Sequence, residues 1–441
     1  MLSLFAFIGI TSLLLLEGWY VLGFLGLDKG SSRIMLSLPI ATFSSTLLIL
    51  LLTILGIALT PLSILCGHFV IILLARHIKS KSAFTLPNPP DTAMPKAILI
   101  ACSLLLLITG VYSATHALLL PTFHYDSATN WNMRSKVSFT EQQLVLTDRH
   151  DLIVKPHYPF LYHALQITTQ QGQPTWNDRM ANAIHFLLSL SALAALFLLI
   201  RALKGSTASL LALTAIATTP LFAMHLGGGY ADIPLTLFAL LSLATFFLYD
   251  KTSERRLLFL SAIFVGACVW TKSEGLPFAL IPWLLMVVLH SWKHSSLRSI
   301  NIKGALLALC ISLAWPLFAQ LKGLPLSPHG SYDLSIALQE GAIGAAASVL
   351  FTGGSFGPVL PLALFCAVLA VHLPNLHKQY RWGLVWGLAA LLITLFVYLF
   401  TNNAVFLLNG QSFDRQLLLP VSLLVLTLVL CLFPSAVSQD N

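Results

Sequence analysis

Thirteen apolar runs of 15 to 24 residues constrain this chain more than any other feature. They fall at 3–26, 35–57, 59–75, 97–119, 180–200, 207–224, 232–249, 257–271, 276–291, 304–320, 356–373, 383–401 and 416–433. A helix that crosses a bilayer uses about 20 such residues. In hydrocarbon every backbone N–H and C=O must be paired inside the segment, which leaves helices as the solution for runs of this length. The runs predict an all-α polytopic membrane protein with about 12–14 transmembrane helices. Composition agrees: 57% of the 441 residues are hydrophobic and only 9% charged, which excludes both a soluble enzyme and a disordered chain.

The loops set the orientation. Arg76, Lys79, Lys81, Lys96, Arg201, Lys204, Lys251, Arg255 and Arg256 belong to a side that carries sixteen Lys and Arg, against eight on the other. The richer side is cytoplasmic by the positive-inside rule, which places the N-terminus outside. The first 27 residues lack a basic leader and a small-residue cleavage site, so they read as a retained span. The net charge of +8 therefore marks cytoplasmic loops, and no basic run with interleaved aromatics suggests nucleic acid. The six cysteines lie in apolar stretches without ligand spacing, so neither disulfide nor zinc is expected from them. Ten of the sixteen acids fall on the outer side, together with the longest connection, 120–179, which is expected to carry juxtamembrane helices. Connections this long are usually functional, so chemistry is expected on the outer face.

Four outer segments carry the candidate residues. HYDSATNWNMRSK, 124–136, supplies Asp126, Trp131, Arg134 and Lys136, with Trp131 also readable as an interfacial anchor. KPHYPFLYH, 155–163, supplies His157 and Tyr158 ahead of a short apolar helix expected at the interface, against lipid or protein. HLGGGYAD, 225–232, places His225 and Tyr230 beside Asp232, which is either a helix cap or a functional carboxylate. TKSEG, 271–275, puts Lys272 and Glu274 in a break between two apolar runs, where charge is costly unless paired or used. Glu17, His68 and His116 read as polar glue between spans. Gly- and Ala-rich 341–356 is readable as re-entrant or as part of a span, and Asp414-Arg415 as shaping an acceptor pocket.

Taken in order, these segments resemble the GT-C superfamily of integral-membrane glycosyltransferases over roughly residues 97–290. The resemblance rests on an early loop Asp (Asp126), a juxtamembrane HYPFLYH, Arg179 opening a span, Asp232 after the next spans, and the TKSEG turn. The chain looks nearest to RgtA/B/C/D-like proteins, with the lipid A aminoarabinose transferase and protein O-mannosyltransferases further off. It departs from them in about three additional spans at the start and in a single acid at Tyr125-Asp126-Ser127. The resemblance implies three parts: N-terminal helices 1–96, a catalytic module 97–303, and C-terminal helices 304–441 that could meet the acceptor. It implies inverting transfer of a sugar from a polyprenyl phosphate to a glycolipid, lipopolysaccharide, polymer or protein, on the periplasmic face of a bacterial inner membrane. Asp126 would be the base and Asp232 its assistant. Lys272, Arg179 and Lys136 would hold the phosphate, and His157, Tyr158, Trp131, Glu274, His225 and Tyr230 would contact substrate. A divalent cation is compatible with the resemblance but not required by it. A lipid-linked-sugar flippase and a non-catalytic assembly subunit are the alternatives. The flippase would carry midplane charges and repeated halves, and neither is evident in this sequence.

Overall fold

The computed structural model describes residues 2–28, 30–78, 83–88, 95–122, 124–147, 156, 158–324, 337–352, 354–372 and 380–433. His157 and Asp333 lie outside the described residues. The helices are α1 (Leu2–Phe24), α2 (Ser31–Ile54), α3 (Pro61–His77), α4 (Lys96–Leu119), α5 (Met133–Glu141) and α6 (Leu161–Gln170). There follow α7 (Asp178–Ala217), α8 (Pro220–Gly228), α9 (Asp232–Thr252), α10 (Arg255–Thr271), α11 (Ile281–Lys293) and α12 (Arg298–Leu321). The last are α13 (Ala342–Phe351), α14 (Val359–His372), α15 (Arg381–Phe400), α16 (Ala404–Leu408) and α17 (Phe413–Leu432). Each of the thirteen apolar runs coincides with helix. Among the described residues nine helices are long and apolar enough to cross a membrane, by length and composition. The chain is an all-α, multi-pass membrane protein.

Of the four runs missing from the nine, one is merged and broken at the α7–α8 boundary and three form helices of 17 residues or fewer, α3, α10 and α14. α7 is two helices joined at Gly205, whose φ of 86° is open to glycine and strained for other residues. The rest of the run at 207–224 turns at Thr218–Thr219 and continues as α8, with Pro220 in its first turn, where a missing N–H is harmless. α3 and α10, at 17 residues each, are short for a full crossing.

Loop contacts show which helix ends share a side. Gln173 donates to the Ser3 carbonyl and the Leu59 N–H to the Gln142 carbonyl, so the start of α1 and the α2–α3 turn lie with the long loop. At the other end the Asp28 N–H donates to the Phe84 carbonyl, and Lys204 Nζ to the Phe433 carbonyl at 2.6 Å. The chain thus threads back and forth between two faces, the loop-bearing face being the outer one of the charge argument.

α9 is the axis. Its residues from Asp232 to Tyr249 are all buried, packed by α7, α10 and α17. A helix apolar all round needs protein or lipid on every side. α4 is peripheral and presents Leu104, Leu107, Ile108 and Val111 outward, each more than half exposed, as a lipid-facing helix would. In the N-terminal helices Glu17 of α1 bonds Ser44 of α2 and His68 of α3, so the polar glue expected of Glu17 and His68 is one three-helix network, while His116 of α4 lies apart from it beside Tyr112 and His124.

The outer cap is built from a π-helical segment Ser127–Asn132, which runs into α5, and from α6. Every residue of α6 is buried, against α2, α5 and α7, so this helix meets protein and not lipid. Its length is too short to span, and Gln166 in it bonds Asn132 and Ser135. Arg134 is fully buried and donates to the carbonyls of Val145 and Tyr158, tying two loop strands to α5. Burial lowers its guanidinium to about 9. In the 341–356 region, α13 is a ten-residue helix, too short to span.

Candidate active site

Four outer segments converge at the top of α9. The Gly227-Gly228-Gly229 turn comes first. Gly229 has φ 72°, a left-handed conformation that ends α8. Gly228 sits against the His124 ring, and the Gly229 carbonyl accepts from Tyr162 Oη at 3.2 Å. Ser127 Oγ donates to the Gly228 carbonyl at 2.5 Å, which ties the π-helical segment to this turn. Asp232 follows in the first turn of α9. It makes no capping bond, so the helix-cap reading is not the one the structure adopts. Instead its Oδ1 accepts from Lys272 Nζ at 2.9 Å.

Lys272 ends α10 in extended backbone, with Gly275 closing the turn onto the Lys272 carbonyl. A side chain at Gly275 would meet the Cys268 backbone, so the tight TKSEG turn depends on glycine there. The turn brings Glu274 within 3.2 Å of the same ammonium, and Gln416 of α17 donates to Glu274 at 3.1 Å. Burial works against the Lys272 charge, but Asp232 and Glu274 outweigh it and hold the ammonium above the ordinary lysine range.

The second ion pair joins Asp126, just ahead of the π-helical segment, to Arg415 in the first turn of α17. Asn130 also donates to Asp126 at 3.1 Å. The Arg415 guanidinium lies 5.4 Å from the Tyr230 ring centre, and His225 stacks on the same ring at 3.9 Å and 13°. Arg415, Tyr230 and His225 therefore cluster between the two carboxylates. Four polar atoms in this group are buried without a hydrogen-bond partner among the described residues: Asp232 Oδ2, Glu274 Oε2, Arg415 Nε and His225 Nδ1. Buried polar groups are normally paired, so this concentration marks a place shaped for a polar ligand.

Asp126, Asp232, Lys272, Glu274, His225 and Tyr230 thus meet in one site. Tyr158 faces it: burial and then the Glu274 charge raise its phenol. Trp131 is buried under the cap, 5.2 Å from Tyr158 and 5.7 Å from His163, which is packing rather than interfacial anchoring. Lys136 and Arg179 are exposed on α5 and at the start of α7, and the described residues show no ion pair for either. Asn182, one turn further along α7, reaches inward to Thr122 and to the face of Gly229. Arg415 is the residue that sequence reasoning placed only in an acceptor pocket. Its signal was a charged pair opening an apolar run in a chain poor in charge.

His225 is almost fully buried, and burial lowers its imidazole to about 3, against the pull of Asp232. A histidine depressed in the folded state is neutral there but takes a proton when unfolded, so stability is complete above about pH 6.5 and is lost as pH falls. At pH 5 this single group is expected to cost about 2 kcal/mol. The thermal midpoint of the detergent-solubilised protein at pH 7 and pH 5 checks this. His225→Phe, which keeps the stack on Tyr230, is expected to flatten that difference, and an unchanged slope would remove His225 as its origin.

Residues 157–318 match the model of the dolichyl-phosphate-mannose-protein mannosyltransferase family. The match starts beyond Asp126 and includes Asp232 and the TKSEG turn. No curated protein matches the sequence. The structure is similar to ArnT from Cupriavidus metallidurans bound to undecaprenyl phosphate, with TM-score 0.55 and 15% identity over 74% of this chain and 59% of that one. A second similar structure is the archaeal oligosaccharyltransferase AglB from Archaeoglobus fulgidus, in complex with an inhibitory peptide and a dolichol-phosphate. There the TM-score is 0.42 and the identity 12%, over 75% of this chain and 50% of that one. This chain therefore spans about three fifths of the ArnT chain and half of the AglB chain. The partial family match and the shared fold agree with the resemblance to GT-C glycosyltransferases that the motifs suggest, in a chain that is a multi-pass membrane protein.

Proposed function

We propose that the protein transfers a sugar from a polyprenyl monophosphate to an acceptor at the outer, periplasmic face of a bacterial inner membrane. The observation that carries this reading is the paired arrangement at the top of α9. Asp126 is partly exposed and bound to Arg415, and beside it Asp232 is held by Lys272. A hydroxyl or amine of the acceptor attacks the anomeric carbon while the bond from that carbon to the phosphate oxygen breaks. Asp126 takes the acceptor proton and the polyprenyl monophosphate leaves as an anion. The attack inverts the anomeric centre. Donor phosphate competes with Asp126 for Arg415, whose Nε has no partner among the described residues. Donor binding thus frees the base at the moment it is needed. The remaining N–H of Lys272 adds positive charge on the leaving group, and Asp232 Oδ2 is available to orient the acceptor.

The lipid tail needs an apolar bed within reach of these groups. A groove of about 460 Å³ lies between α2, α4 and α7. It is lined by Leu106, Gly110, Leu193 and Phe197 and reaches Leu226, the chain neighbour of His225. Lys136 and Arg179, exposed on the same face, would draw an anionic headgroup toward the site without gripping it. Candidate acceptors are a glycolipid, a polymer or a protein.

The test uses purified protein in detergent with radiolabelled polyprenyl-phosphate sugars and membrane glycolipid extract. The wild type is expected to move label to an acceptor. Arg415→Gln is expected to weaken donor binding about 10- to 100-fold, the usual effect of removing one charge-assisted hydrogen bond to a phosphate. Donor that binds without any transfer in the wild type would favour a flippase instead. Unchanged donor affinity in Arg415→Gln would take the phosphate away from α17.

A further inference from the structure

A second cluster of ligating side chains lies at the opposite end of α9. Asp250, His290 and His294 each present one ligand atom, and the three atoms lie within 4.8 Å of one another. His290 Nε2 is 2.9 Å and His294 Nε2 3.9 Å from Asp250 Oδ1. His290 is in the last turn of α11 and His294 caps that helix, with the two ring centres 4.6 Å apart. Asp250 is eighteen residues along α9 from Asp232, or about 27 Å at 1.5 Å per residue, so this cluster is separate from the candidate active site. It lies with Lys251 and Lys293, on the side that the charge count makes cytoplasmic.

We propose that Asp250, His290 and His294 bind one Zn²⁺ ion, with solvent as a fourth ligand. Zinc takes imidazole nitrogen and carboxylate oxygen at about 2.0–2.2 Å, so tetrahedral neighbours stand about 3.3–3.6 Å apart. The separations here bracket that edge, and small side-chain rotations close them. Borderline-soft ligands of this kind favour zinc over magnesium or calcium, which select all-oxygen sites. His294 is partly exposed, which leaves the fourth position to water, whereas His290 is fully buried. Both nearby lysines have other partners: Lys293 lies over the Trp382 ring and Lys251 Nζ donates to the Leu203 carbonyl.

The surroundings of His290 support a ligand role. A ligating histidine usually fixes its second nitrogen by a hydrogen bond. His290 Nδ1 lies 2.9 Å from the Asn301 amide, and Tyr249 Oη lies 2.8 Å from the Asn301 carbonyl oxygen. This relay reverses as a unit. With the amide turned, Nδ1–H donates to Asn301 Oδ1, Asn301 donates to Tyr249 Oη, and His290 Nε2 keeps a free lone pair for the metal. The ion would join α9 to α11, and through Asn301 to α12, at the inner ends of the helices.

The full-length protein in detergent, stripped with a chelator, is titrated with Zn²⁺ against a chromophoric competitor and separately with Co²⁺. One equivalent of Zn²⁺ is expected, with a tetrahedral Co²⁺ visible spectrum and a rise in thermal midpoint on adding Zn²⁺. His294→Gln changes the most exposed of the three ligands and should leave the metal-free midpoint unchanged. It is expected to weaken Zn²⁺ binding by at least about 10- to 100-fold, as is Asp250→Asn. Asp126→Asn should leave the stoichiometry intact, which separates this site from any metal at the outer carboxylates. Zinc affinity equal in wild type, His294→Gln and Asp250→Asn would overturn the proposal. Absence of stoichiometric binding to the wild type would do the same.

Discussion

Asp126→Asn is expected to lower the rate of sugar transfer by at least about 100-fold while donor binding stays the same or tightens. The two effects have one cause. Asparagine fills the same space and still accepts a hydrogen bond, so Asn130 and the cap keep their places around it. It has no charge and takes no proton from an acceptor. It also holds Arg415 less firmly, because a charge-assisted pair becomes an ordinary hydrogen bond. A less committed guanidinium is more available to a phosphate. Loss of turnover with retained donor affinity is therefore the signature of a base that shares its cation with the substrate. Single-turnover transfer from labelled donor, alongside equilibrium donor binding, measures both. Transfer within tenfold of wild type would show that the proton goes elsewhere. A parallel fall in both quantities would show that Asp126 serves binding or folding.

The helices were legible because their signal is one-dimensional. An apolar run of spanning length has few alternatives to helix, and all thirteen runs coincide with helix. The break in α7 was legible from Arg201 and Lys204 between two apolar runs, whereas its pivot at Gly205 is seen only in the structure. The burial of α6 was not legible. Leu161, Leu165 and Ile167 suggested one apolar face, but its polar residues are buried too, and Gln166 among them is satisfied by Asn132 and Ser135, partners some thirty residues earlier in the chain. The gathering of Asp232 with Lys272 and Glu274 could be read in part, because charges in short breaks between spans need partners. Which partner each takes depends on how α9 and α10 pack, and the sequence is silent on that. Arg415 is the clearest case. It lies 289 residues from Asp126, in a part of the chain without a recognisable motif, and only the seating of α17 beside α9 joins the two. Trp131 shows the converse, since an aromatic next to a span reads as an anchor and here fills the interior of the cap.

Lys272→Met should be the most damaging single change at this site, costing about 3–5 kcal/mol of stability as well as activity. The ammonium sits almost fully buried between Asp232 Oδ1 and Glu274 Oε1, 2.9 and 3.2 Å away. Methionine replaces the stem as far as Cε, one atom short of the ammonium, and keeps most of its packing, so the loss is chiefly electrostatic. Two carboxylates would be left without their cation, each already holding one buried oxygen that has no partner among the described residues. Removing one member of a buried pair leaves a charge with neither water nor counter-ion, which is why such changes cost more than the pair itself contributes. Asp232→Asn alone is expected to be milder, because Lys272 keeps Glu274. The double variant Lys272→Met with Asp232→Asn should recover part of the lost thermal stability, since the unpaired Asp232 charge goes with the cation, and should recover none of the transfer activity. A double-mutant cycle on the thermal midpoint and on the transfer rate separates the two roles. Additive losses in stability would mean that Lys272 and Asp232 are not coupled as the 2.9 Å contact requires. Activity returning with stability would mean that the pair only holds α9 and α10 together, leaving Asp126 and Arg415 to carry the chemistry alone.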